Sequence, residues 1–160
     1  MDLSALIALG VFIALNFLAA SSGAFFRPGD WYEQLAKPGW TPPNWAFPVV
    51  WSVLFLMNAV SGWLVWQAAG TGAGLSLGVY AASLVVNASW SAVFFGLRRM
   101  DMGLGVVVLL WVSILAIAFL FWPYSPVAAA LQLPYLLWVT IATALNFTVL
   151  RMNPAEARSA

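Results

Sequence analysis

The chain is 160 residues long, 64% hydrophobic and 7% charged, with a mean hydropathy of +0.94. A water-facing domain carries roughly a quarter of its residues charged, so six basic and five acidic side chains leave lipid to cover most of the exterior. The net charge of +1 excludes a nucleic-acid partner, and the absence of Cys and His excludes disulfides, thiolate or imidazole catalysis, metal sites built on those ligands and conventional haem ligation.

The uncharged run between Asp2 and Arg27 predicts a first helix over about residues 3–26, because about 20 apolar residues cross a bilayer. Ala19-Ala20-Ser21 faintly resembles a signal-peptide cleavage site. Asp2 stands where such a peptide carries Lys or Arg, however, and the apolar core is too long, so the segment is read as a retained span. From Pro38 to Leu97 no residue is charged, and Gly70-Thr71-Gly72-Ala73-Gly74 reads as a tight turn inside that stretch. It predicts helices over 48–69 and 75–97. A second uncharged stretch, Met102 to Leu150, is interrupted at Trp122-Pro123-Tyr124-Ser125-Pro126 and predicts helices over 102–121 and 127–150. Backbone amides must be satisfied internally in lipid, which makes these runs helices. The reading is an all-α integral membrane protein: one transmembrane domain over 1–160, a five-helix bundle with a long structured loop, 27–47, between its first two spans.

The basic residues orient it. Arg27, Lys37, Arg98, Arg99, Arg151 and Arg158 all fall on the side shared by the long loop, the third-to-fourth connection and the C-terminus, and none falls on the other. The positive-inside rule then puts the C-terminus in the cytoplasm and the N-terminus outside. All-helical spans fit a bacterial inner membrane.

The long loop holds Trp31, Tyr32, Trp40 and Trp45 and is stiffened by Pro28, Pro38, Pro42 and Pro43, with Pro48 suited to the first turn of the next helix. Two readings fit these aromatics: anchors at the headgroups, or a lid folded back over the helix ends. Beneath it, Ser83, Asn87, Trp90, Ser91 and Phe94 share one face of the third helix, and Tyr135, Trp138, Ala142, Leu145 and Asn146 one face of the fifth. Trp51, Phe55 and Asn58 form such a face on the second. Amide and indole groups in a bilayer turn to the bundle interior, either for interhelical hydrogen bonds or to line a pocket. Small Ala142 beside Trp138 leaves room for something flat.

Trp31-Tyr32, Lys37-Pro38-x-Trp40-x-Pro42-Pro43-x-Trp45-x-Phe47 and Trp51 resemble the first-loop signature of the TspO/MBR family, the tryptophan-rich sensory proteins and translocator (peripheral benzodiazepine receptor) proteins. Asn87-x-x-Trp90 with Phe94-Phe95-Gly96 resembles its third-helix motif, and Pro134-Tyr135-x-x-Trp138 with Ala142 and Leu145-Asn146 its fifth. The blocks keep the family's order over about residues 23–151. The resemblance implies a pocket at the cytoplasmic end that binds porphyrins and benzodiazepine- or isoquinoline-type drugs, closed by the loop. Its ligand-binding residues would be Tyr32, Pro42, Trp45, Phe47, Trp51 and Phe55 from the loop and second helix. From the third and fifth helices would come Asn87, Trp90, Phe94, Trp138, Ala142, Leu145 and Asn146. It also implies a homodimer through the third helix, where Gly74, Gly78 and Ala82 recur every four residues, although such a stripe equally seats a helix of the same chain. Family members, however, have been placed in mitochondrial and bacterial outer membranes, so the resemblance leaves inner against outer membrane open. The cholesterol pattern of animal members needs a Tyr where this chain has Phe147, between Leu145 and Arg151, which argues against sterol binding.

Indole faces can stack on a porphyrin, each ring pair contributing about 0.5–1.5 kcal/mol beyond area burial, and Arg27 and Lys37 sit at the level of its propionates. With no His or Cys to ligate iron, the expected ligand is metal-free protoporphyrin, and no cofactor or metal is required. Three functions are ordered: binding and sensing first, light- and oxygen-dependent porphyrin degradation second, passive transport third. No ordinary general acid, base or nucleophile is available for catalysis, so degradation would fall to Trp51 and Trp138 as the groups able to give an electron to a photoexcited ring. No charge lies inside a span to relay protons or ions, which counts against coupled transport.

Overall fold

The computed structural model describes residues 2–156. Arg158, one of the basic residues used for orientation, lies outside that range. Among the described residues the elements are α1 (Leu3–Phe25), α2 (Asp30–Gln34), α3 (Ala46–Ala69), α4 (Gly74–Ser91), α5 (Met100–Phe121), α6 (Pro126–Ala130) and α7 (Leu133–Met152), with no strand. Helix starts carry their expected signals. The Asp2 carboxylate accepts from the Ala5 N–H at 2.8 Å to cap α1. Ser125 caps α6 in the same way, with Pro126 at its first position.

Among the described residues, four continuous helical stretches are long and apolar enough to cross a membrane: Leu3–Phe25, Ala46–Gly96, Met100–Phe121 and Pro126–Met152. The second, at 1.5 Å per residue, would extend about 75 Å, more than twice a hydrocarbon core of about 30 Å. It is two spans, α3 and α4, separated by a 3-10 turn over Gly70–Ala73. Gly70 makes the break, since its φ of +50° is one that a glycine adopts without strain. The result is an all-α bundle of five spanning helices, with Leu3, Leu18, Phe119 and Leu137 among the side chains on its apolar outside.

Three details depart from the expected helices. The third span does not run on as a regular α-helix to Leu97; it passes into a π turn over Ala92–Gly96. The last span is divided into α6 and α7 at Leu131-Gln132, because Pro134 has no N–H for the Ala130 carbonyl. The 27–47 loop contains the short helix α2.

Around the bundle, α1 packs on α3 and α4, α4 on α5, and α5 on α7, whereas α3 and α7 keep their backbones apart and meet through side chains. A buried polar chain ties the half remote from the loop. Asn58 Nδ2 donates to Asn16 Oδ1 at 2.8 Å, and Gln132 Nε2 donates to Asn58 Oδ1 at 3.0 Å and to Ser61 Oγ at 2.8 Å. Tyr80 donates its hydroxyl to the Asn58 carbonyl at 3.1 Å and accepts from Asn16. Asn58, which the sequence groups with Trp51 and Phe55, therefore spends its side-chain amide on joining α3 to α1 and the start of α7, while its backbone carbonyl takes the Tyr80 hydroxyl of α4.

Candidate ligand-binding cavity

At the loop end the five helices separate around a cavity of about 620 Å³, within the size range of small-molecule sites. Three indoles stand on its wall: Trp51 from α3, Trp90 from α4 and Trp138 from α7. Each is set by an aromatic neighbour. Trp51 lies 5.5 Å from Phe55 and 5.9 Å edge-on from Tyr135, Trp90 stacks on Phe94 at 4.9 Å, and Trp138 meets Phe47 edge-on at 5.8 Å. The Trp90 N–H donates to Asn146 Oδ1 at 3.3 Å, and Asn146 in turn donates to the Met100 carbonyl at 3.0 Å, which fixes that ring against α5 and α7. Asn87 donates to the buried Tyr135 hydroxyl. The Trp138 N–H is buried without an acceptor, so it gains a hydrogen bond only when a shift of the ring or a ligand brings one.

The π turn shapes the α4 wall. An α-helix would put Phe94 and Phe95 about 100° apart; the wider turn lets both line the cavity. They receive the loop. Tyr32 lies edge-on to Phe94 at 6.2 Å and to Phe95 at 5.3 Å, Trp31 meets Phe94 at 6.0 Å, and Leu35 is buried in the same cluster. Burial pushes the Tyr32 phenol above its ordinary range, so it remains a neutral hydroxyl. Lys37 stands over the Tyr32 ring at 4.6 Å and donates to the Glu33 and Leu35 carbonyls, both at 3.1 Å, closing the end of α2. The loop is then latched to the end of α7: Asn153 Oδ1 accepts from the Ala36 N–H and Asn153 Nδ2 donates to the Ala36 carbonyl, each at 2.9 Å. One side chain thus meets both backbone groups of a loop residue, and the loop forms a roof.

Of the residues singled out from sequence, the structure brings Tyr32, Phe47, Trp51 and Phe55 to the wall from the loop and α3, and Asn87, Trp90 and Phe94 from α4. Trp138, Ala142, Leu145 and Asn146 reach it from α7. Two do not reach it. Trp45 is 69% exposed at the start of α3, and Pro42 sits half-buried in the turn that leads there. The loop tryptophans therefore divide: Trp31 packs under the roof, while Trp40 and Trp45 face outward, as interfacial rings do. Sequence reasoning missed Phe95, Val107 and Leu110, and it missed the α1 wall of Phe17, Ala20 and Gly23. The run of small residues from Ala19 to Ala24 was the available signal for that wall, since small side chains leave space beside a helix.

Comparison with known proteins decides the family. The TspO/MBR family model matches residues 9–152. The chain belongs to the TspO/MBR family. It is 45% identical over 140 residues to Protein CrtK of Rhodobacter capsulatus, covering 86% of this chain and 88% of that protein. To the tryptophan-rich sensory protein of Cereibacter sphaeroides it is 40% identical over 144 residues, covering 87% and 90%. To the human translocator protein it is 36% identical over 151 residues, covering 88% and 89%. The protein is thus an integral membrane protein of the TspO, translocator and tryptophan-rich sensory protein family.

The small-residue stripe on α4 does not seat a helix of this chain. Gly74, Gly78 and Ala82 are all exposed, and a methyl group at either glycine would meet nothing within 4 Å.

Proposed function

We propose that this TspO/MBR protein is a membrane receptor for flat hydrophobic ligands, protoporphyrin-like tetrapyrroles first and benzodiazepine- or isoquinoline-type compounds with them. The observation that carries the reading is the roofed cavity of about 620 Å³ with Trp51, Trp90 and Trp138 among its lining side chains. Such a lining offers ring faces to a planar aromatic and places no charge against its body. Glu33, at the roof, is the one ionisable carboxylate among the described wall residues. The unpartnered Trp138 N–H favours ligands that carry an acceptor. The same reading takes the roof as cytoplasmic, which the distribution of Arg27, Lys37, Arg98, Arg99 and Arg151 supports through the positive-inside rule. Titrating protoporphyrin in the dark into detergent-solubilised protein should quench tryptophan fluorescence saturably; a linear response without saturation refutes the receptor.

A second reading is light-driven porphyrin degradation, favoured by Trp51 and Trp138 both standing on the cavity wall. Under illumination the complex should bleach faster than free pigment, and Trp51→Phe with Trp138→Phe should remove the excess; equal bleaching by the double variant rejects it. The outward α4 stripe supports a homodimer, which Gly74→Leu with Gly78→Leu should convert to monomers in mild detergent.

A further inference from the structure

The flanks of the cavity are sealed unequally, and the cause is the course of α1. Its first half lies on α3: the Trp63 indole donates to the Ala5 carbonyl at 3.0 Å, Asn16 is bonded to Asn58, and a methyl group at Gly62 would stand 2.7 Å from the Phe12 ring. Its second half lies on α4: a methyl group at Gly23 would reach within 3.9 Å of Ser91 Oγ, and one at Gly96 within 2.8 Å of the Phe26 ring. Along its middle α1 touches both neighbours, since Phe12 and Asn16 also meet Tyr80 of α4, but the contacts of its last turns named here are with α4. Beyond the packed cluster that holds Ala19 and Phe55, the last turns of α1 therefore leave the first turns of α3.

The other flanks are closed by named contacts. The Phe47–Trp138 and Trp51–Tyr135 ring pairs bridge α3 to α7, the Trp90–Asn146 bond joins α4 to α7, and the Ala36–Asn153 pair holds the roof. Wall residues that are also exposed include Phe17, Gly23 and Ala24 on α1 and Pro48 and Ser52 on α3, with Pro28, Glu33 and Asn44 exposed in the loop above them. Phe17, Ala24, Pro48 and Ser52 belong to membrane-spanning helices, so an opening between α1 and α3 faces acyl chains. Asn44 precedes α3, at the level where headgroups begin.

We propose that the cavity opens sideways into the bilayer through the gap between α1 and α3, and that its ligand enters and leaves by that gap, not through the roof. The proposal rests on the receptor reading above. It adds the ligand's source and class: a bilayer-dissolved planar amphiphile, whose apolar body slides in from the acyl layer while its polar edge stays at the headgroup level beside Asn44. Porphyrin propionates have that disposition. A ligand already concentrated in the membrane needs no aqueous path, which accounts for a roof tied down by both backbone groups of Ala36.

The test uses full-length protein in liposomes, with protoporphyrin added in the dark and tryptophan quenching followed by stopped flow. Ala24→Phe with Ser52→Phe plugs the gap at two exposed positions, where added rings displace lipid and not core. Association and dissociation should both slow by about tenfold, the behaviour of a raised barrier, with their ratio moving far less. Ser52→Trp alone serves as the second variant and should slow both rates in the same sense. Plugged protein that associates at the wild-type rate overturns the proposal, and Asn153→Ala, which cuts the roof latch, then identifies the alternative route by accelerating association. Wild-type protein that shows no saturable quenching refutes the receptor reading itself and the route with it, whereas saturable wild-type binding with an indifferent plug refutes the route alone.

Discussion

Replacing Asn58 by Leu tests whether the buried polar chain holds the bundle together. Asn58 is 1% exposed, and Leu nearly matches its shape, so packing changes little and the hydrogen bonds are isolated. The Tyr80 bond to the Asn58 backbone carbonyl survives. Two bonds are lost: Asn58 Nδ2 to Asn16 Oδ1 and Gln132 Nε2 to Asn58 Oδ1. At about 1–3 kcal/mol for each stranded group in a dry interior, the cost would reach about 2–6 kcal/mol. Inside a bilayer the separated helices find other partners, and interhelical hydrogen bonds average about 0.6 kcal/mol, which sets a floor near 1 kcal/mol. The structure places the answer between these limits. Gln132 keeps its bond to Ser61 and Asn16 keeps its bonds to Phe12 and Tyr80, so only one acceptor and half an amide are orphaned. The added methyl groups of Leu bring no compensating hydrophobic gain, because lipid is as apolar as the site. A loss of about 1–3 kcal/mol follows, measured by circular dichroism as the mixed-micelle fraction of dodecyl sulfate is raised. Ser76→Ala, which removes a single long 3.4 Å bond to the Leu120 carbonyl, is the control and should cost less than about 0.5 kcal/mol. If Asn58→Leu unfolds with the control or later, the chain is not what joins α1, α3 and α7.

Gly62→Ala should destabilise by about 1–3 kcal/mol in the same assay, because its methyl group would stand 2.7 Å from the Phe12 ring and 2.9 Å from Tyr80, and the Tyr80 hydroxyl is fixed by Asn16 and Asn58. Gly10→Ala, where nothing lies within 4 Å, should be neutral; equal effects would remove the packing argument. Asn153→Ala should release the roof locally: amide exchange over 30–36 should rise while exchange in α3 and α5 stays unchanged, and a uniform rise across the bundle would refute a local latch.

How much of this was legible in the sequence depends on the range of the interaction involved. The spans follow from charge placement and the two breaks at residues 70–74 and 122–126, since lipid admits few alternatives to helix for a long uncharged run. The α4 and α7 walls were legible through spacing, because 3.6-residue periodicity is a local property. Phe95 was hidden because a π turn shifts the register by one residue, and nothing in Ala92–Gly96 announces it. Trp45 misled because loop and helix tryptophans look alike in sequence, and only the path of the chain decides which face lipid. The α1 wall was the least legible of all. Its one local sign is the small-residue run from Ala19 to Ala24, and which face of that run borders a cavity depends on how α1 lies against α3 and α4, a tertiary fact.

The course of α1 also explains why the polar chain and the cavity lie at opposite ends of one bundle. Where α1 and α3 stay together, Asn16, Asn58, Tyr80 and Gln132 bond across the interior and leave no space. Where they part, a void must be either filled or lined. This chain lines it with rings held by their own neighbours and roofs it with a loop that spends Lys37 on the carbonyls of α2 and Asn153 on Ala36. The indoles are then positioned before any ligand arrives, so little ordering entropy is lost on binding. The sealed end supplies the stability that the hollow end does without: strengthening the polar chain should leave the cavity unchanged, whereas filling the gap between α1 and α3 should alter ligand traffic with little effect on the unfolding midpoint.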